Sequence, residues 1–191
     1  MPANESTSAA IEPAWVGDVL QFWFGELGAT QWFAKSDAID RMIRARFLAL
    51  HEQIVLGDGI DVAVSRPLLA AVIVTDQFSR NMFRGTPRAF ATDALARRLA
   101  RQAIERGFDR AMTREERLFV YLPFEHSEDR EDQALSVQLI GQLGREDWTT
   151  YALAHQSIID RFGRFPHRNA ILGRTSTPDE LALLAEPMGS F

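Results

Sequence analysis

The chain of 191 residues contains no cysteine. That removes disulfides, thiolate zinc sites and cysteine nucleophiles together, and it suits a reducing cytoplasm. Lysine is almost missing too: of 21 basic residues only Lys35 is a lysine, which leaves 20 arginines. This argues against Schiff-base or lysine-nucleophile chemistry. With so many arginines, their number says little and only their placement carries an argument. Long apolar runs are absent. The longest, PLLAAVIV at 67–74, falls well short of the ~18 residues a membrane span needs. The opening MPANESTSAAIEP lacks the charged and apolar regions of a secretory signal. The expectation is a cytoplasmic protein with no membrane association. Also missing are a glycine-rich phosphate loop after a strand, any strand–helix alternation, and a regular repeat of tetratricopeptide length.

The composition that remains is ordinary for a globular chain, 46% hydrophobic and 25% charged. A net charge of -5 and a pI near 5.4 argue against nucleic acid as a partner. Residues 1–12 are small and polar and read as a disordered tail. Residues 13–191 read as a single helical domain.

Within that domain the periodicity predicts about eight helices with short connections, packed as antiparallel hairpins. Pro13 opens the first, and Gly25 stands near its stop. Ser36 caps a second, with Ile39, Met42/Ile43, Phe47, Leu50 and Ile54 on its apolar stripe and Gly57 and Gly59 at its end. The third, SRPLLAAVIVTDQFSRNMFRG, is apolar all round from Leu68 to Val74 and must be buried. Thr86-Pro87 is expected to open a fourth, ending at Gly107. Thr113 and Glu116 form a capping box for a fifth, which Pro123 closes. Ser127 is expected to cap the sixth. A seventh spans about 146–162, and Thr177-Pro178 starts the last.

Three polar constellations stand out. In DQFSRNMFRG (76–85), a continuous helix sets Asp76, Arg80 and Arg84 on one stripe, with Gln77 and Asn81 beside it. In YLPFEHSED (121–129), helix capping accounts for the later acids but not for Glu125-His126. A carboxyl beside an imidazole can be tuned for proton transfer near neutral pH. The third is RFGRFPHRNAILGRTST (161–177), which holds no acid. It follows a helix whose apolar face carries Trp148, Tyr151, Ala152, His155, Ile158/Ile159 and Phe162. Its Arg164, His167, Arg168, Asn169 and Arg174 raise the question of what acidic group they face: Asp76, Glu125 and Glu128 inside the fold, or a ligand outside it. RNMFRGT (80–86) and RNAILGRT (168–175) also echo each other, as though two turns faced one cavity.

FWFGE (22–26), TDQFSRNMFRGTPRAFATD (75–93), RLFVYLPFEHSEDREDQ (117–133) and HQSIIDRFGRFPHRNAILGRTSTPDE (155–180) resemble the signature blocks of the bacterial family called domain of unknown function 924. One departure is Val64, where relatives are expected to carry tryptophan. The resemblance implies an all-α, tetratricopeptide-like superhelical array of helix hairpins. It implies no settled activity.

Three functions stay open. In the first, Arg80, Arg84, Arg164, Arg168 and Arg174 clamp a small anionic or polar ligand that Asp76, Glu125, His126 and His155 orient, with Gln77, Asn81, His167 and Asn169 nearby. In the second, Glu125 or His126 acts as general acid or base in a hydrolase or transferase. In the third, Phe22, Trp23, Phe24, Trp32 and Phe33 anchor a protein or peptide partner. No cofactor is expected, and the histidine spacing matches no standard metal site.

Overall fold

The apolar run becomes the centre of the molecule. Residues 67–79 are buried without interruption, and the helix they begin packs against partners on several sides. The computed structural model describes residues 12–57 and 63–186, and among these no strand occurs. The all-α expectation holds. The expected tail, apart from the exposed Glu12, and Gly59 lie outside the described residues.

Helix α1 (Ala14–Leu20) passes into a π-helical stretch, Gln21–Glu26. A single turn, α2 (Ala29–Trp32), is additional to the eight expected helices. Lys35 lies exposed in the link to α3 (Asp37–Val55). Ser36 caps α3 as expected, its Oγ accepting from Ile39 N at 3.4 Å. Helix α4 (Ser65–Ile73), a π-helical stretch Val74–Phe78 and α5 (Ser79–Met82) form one continuous rod. The remaining helices are α6 (Asp93–Glu105), α7 (Arg114–Glu125), α8 (Arg130–Gly141), α9 (Glu146–Phe162) and α10 (Pro178–Leu184).

Four expectations are corrected. Thr86-Pro87 starts only a 3-10 turn, Pro87–Phe90, and α6 begins later at Asp93. Pro123 does not close α7, which runs on to Glu125. A proline this near a C-terminus forfeits one hydrogen bond, and full burial of the ring in the core offsets part of that loss. Ser127 is not the cap of α8. Asp129 is, accepting from Glu131 N and Asp132 N at 2.8 and 3.1 Å, while Ser127 Oγ donates to Asp132. Tyr151 leaves the apolar face of α9 and is 53% exposed.

Helix α4 packs on α1, α6 and α7, while α7 packs on α8 and α8 on α9. Phe22, Trp23, Phe78 and Phe119 meet at 5.4–5.9 Å in edge-on contacts that fill the main core. Trp32 joins them, its Nε1 donating to Trp23 O at 2.8 Å. The aromatic block offered as partner anchors is therefore largely interior, and only Phe33 is well exposed. A smaller cluster forms where Phe165 folds back on Ile158 and Ile159, with Phe162 and Leu183 beside it. Among the described residues no helix is long and apolar enough to cross a membrane.

Candidate functional site

The two π-helical residues Asp76 and Gln77 turn the buried rod polar. Such local widenings of a helix occur often at functional sites. The Asp76 carboxylate is completely buried and receives three partners. His126 Nδ1 lies 2.9 and 3.0 Å from its two oxygens, Arg80 Nη1 lies 3.0 Å away, and Gln77 Nε2 donates at 2.6 Å. Burial alone would raise the Asp76 pKa. The Arg80 guanidinium, then His126 and Gln77, outweigh burial and hold the group well below the usual carboxylate range.

His126 caps the C-terminus of the neighbouring α7. Burial and the Arg80 charge push its pKa down, against the pull of Asp76, so the ring is neutral near pH 7. A neutral imidazole beside an ionised carboxylate must place its proton on the nitrogen facing the acid. Nδ1 therefore donates to Asp76, and Nε2 keeps its lone pair. No described residue hydrogen-bonds Nε2, and the side chain retains 16% of its exposure. Glu125, one residue earlier, is buried with Oε1 3.4 Å from His155 Nδ1. Burial first, then the Asp76 charge, push the Glu125 carboxyl up to about 8, so it holds a proton at neutral pH. His155 donates from Nδ1 to Tyr151 O at 2.9 Å, and burial lowers its pKa to about 3.

Asp93, the first residue of α6, closes the electrostatics. Arg80 donates to both its oxygens at 3.0 and 3.2 Å, and Arg168 Nη1 reaches it at 3.3 Å. The Arg168 guanidinium lies between the rings of Phe90 and Phe165, 4.6 Å from each. Two carboxylates, Asp76 and Asp93, thus meet two guanidiniums, Arg80 and Arg168. Glu125, His126 and His155 add no charge at neutral pH.

Asp76, Gln77, Arg80, Glu125, His126, His155 and Arg168 are brought together by these contacts. The other expected residues lie apart from that centre. The rod ends at Met82, so Arg84 leaves the expected stripe and forks onto Asp40 at 2.6 and 2.9 Å, beside Asn81 on the same carboxylate at 2.7 Å. Arg164 forks onto Glu180 at 2.6 and 2.8 Å. Arg174 forks onto Glu128 at 2.7 and 2.9 Å, and its Nε donates to Asn169 Oδ1 at 2.9 Å. His167 stacks near Phe165, and burial with the Arg168 charge lowers its pKa to about 4.

Of the acids expected to face the arginine-rich stretch, Glu128 does so, Glu180 and Asp93 join it, and the arginines pair with neither Asp76 nor Glu125. The echoing turns do share a backbone device, left-handed glycines at Gly85 and Gly173. A cleft of about 380 Å³ beside Gly85 is lined by Asp40, Asn81 and Arg84 but by nothing from 168–175. A second, of about 320 Å³, lies between the end of α3 and α6. Neither reaches Asp76 or His126. Among the described residues no group of three or more His, Asp or Glu side chains is placed to hold a metal ion.

Fold and site together describe an all-α protein built round a charge-balanced, nearly enclosed polar cluster. Residues 19–188 match the family described as bacterial protein of unknown function (DUF924), and the chain belongs to that family. It is similar to a solved structure, a protein of unknown function, ATU0120, from Agrobacterium tumefaciens. The two are 40% identical with a TM-score of 0.85, over 90% of this chain and 97% of that one. No curated protein matches.

Proposed function

We propose that the chain carries out general acid–base chemistry on a small polar molecule, with His126 as the proton-transfer group and Asp76 orienting it. One observation carries this reading. His126 Nδ1 is fixed on a buried carboxylate at 2.9 Å, while no described residue occupies Nε2. That is the arrangement in which a carboxylate sets the tautomer and the far nitrogen accepts a proton. Glu125, protonated at neutral pH, serves as a second proton carrier beside it. The substrate is uncharged at its reacting end, because Arg80 and Arg168 already face Asp76 and Asp93. The same pairing weighs against an anion clamp, since Arg84, Arg164 and Arg174 are matched by Asp40, Glu180 and Glu128.

Diethyl pyrocarbonate, which acylates neutral imidazole nitrogen, tests the reading. In the native protein His126 is expected to react ahead of His51 and His155, which are 4% and 7% exposed. Turnover of p-nitrophenyl acetate, assayed alongside, is expected to fall with that modification and to be lost in His126→Gln. A native His126 that stays inert while the unfolded chain reacts would overturn the proposal.

A further inference from the structure

Three consecutive carbonyls, those of Glu125, His126 and Ser127, are each captured by a side chain from another part of the fold. Gln133 Nε2 donates to Glu125 O at 2.6 Å and to Ser127 O at 2.7 Å. Arg168 Nη2 donates to His126 O at 2.9 Å. The carboxamide orientation is forced. Carbonyls only accept, so the NH2 end must face them, and its two hydrogens serve the two short contacts. Gln133 is fully buried in the first turns of α8, where helical periodicity would place an apolar residue. The amide groups of the same segment are bonded too, His126 N to Leu122 O at 2.9 Å and Ser127 N to Phe124 O at 3.1 Å.

We infer that Gln133 is a positioning residue for His126, holding the backbone from which the imidazole meets Asp76. This rests on the reading of His126 as the proton-transfer group. With Cα fixed, only two side-chain torsions separate the backbone from Nδ1, and the contact at 2.9 Å sets both. Release of the two carbonyls lets the end of α7 fray, as helix C-termini do when their carbonyls lack partners. The imidazole then samples both tautomers, and Nε2 ceases to be the standing acceptor. Gln133 does not touch the reacting atoms. Its part is to keep the tautomer single.

Long-range 1H–15N spectra of the labelled full chain at pH 7.5 read this directly. In the native protein His126 is expected in the Nδ1–H form alone. Gln133→Met, which keeps volume and loses both donors, is expected to give a mixture of tautomers and a His126 pKa moved up toward its ordinary value. Gln133→Asn is too short to span both carbonyls and gives the same pattern in smaller degree, so it serves if the methionine variant fails to fold. Ser136→Ala, one turn on and equally buried, controls for general loosening of α8 and leaves the tautomer unchanged. A folded Gln133 variant with a single Nδ1–H tautomer and an unmoved pKa overturns the positioning role, whatever happens to its melting temperature. Native His126 found as Nε2–H, or charged, sinks the acid–base reading instead.

Discussion

Glu125 holds its proton into the neutral range because nothing near it supports a charge. Burial penalises the carboxylate and Asp76 repels it, which carries its pKa from the ordinary carboxyl range to about 8. A folded pKa above the unfolded one means stability is fully present below pH ~4.5 and is lost as pH rises through 8. Glu125→Gln removes that loss. Melting curves across pH 5 to 8.5 should therefore show the variant gaining on the native protein as pH rises; parallel curves would mean that Glu125 is ionised when folded. At this scale part of the site is legible in sequence. Asp76 and Arg80 stand four apart on a helix, and Glu125-His126 follows an apolar run that capping does not explain. Asp93 was hidden because an acid at a helix start reads as an ordinary cap. Gln133 was hidden because an amide carries no charge and only the packing of α8 on α7 shows that it is buried.

Among the elements, the segment between α9 and α10 is tied to the turn before α8 by one carboxylate. Glu128 accepts the Arg174 fork and the Phe165 amide at 2.8 Å, and both contacts reach across the chain to the turn before α8. Glu128→Gln keeps the shape but removes the charge from these bonds, and should cost about 2 kcal/mol in chemical denaturation. Limited proteolysis of the same variant should cut first within 163–177; unchanged cleavage would show the segment held by Phe165 packing and the Glu180 and Asp93 ion pairs without Glu128. Helix existence was well read from periodicity and caps, and all eight expected helices occur. Boundaries fared worse, for physical reasons. The Thr86-Pro87 signal specifies a helical turn but not its length. Pro123 is tolerated because only Phe124 and Glu125 of α7 follow it. The π-helical stretch at Val74–Phe78 has no sequence mark, and neither does the end of the rod at Met82, which takes Arg84 off the stripe that Asp76 and Arg80 share.

The molecule as a whole buries neutral histidines in one region. His155 and His167 have pKa values lowered to about 3 and about 4, and His126 is lowered as well, in each case chiefly by burial. Folded values below the ordinary ~6.5 contribute stability above that pH and lose it as pH falls toward 4 and 3. Glu125 acts in the opposite sense on the alkaline side. With His51, which burial lowers as well, four histidines outweigh one carboxyl below pH ~6.5, and the carboxyl alone acts above it. Stability should peak near that value, above the pI of 5.4, when melting temperature is followed against pH. A maximum at or below the pI would mean that the histidines are charged in the folded state. The cluster itself could not be placed from sequence, because its members come from four helical segments and the 3-10 turn after α9. Its arginines have a further practical consequence. The interior cations are all guanidiniums, and the chain's single lysine stands exposed between α2 and α3. Amine-reactive dyes or surface linkers will therefore attach to a side chain at one known point, Lys35, and leave every buried ion pair intact, while thiol reagents find nothing to label. The protein can be tethered through one known side chain without a single engineered substitution.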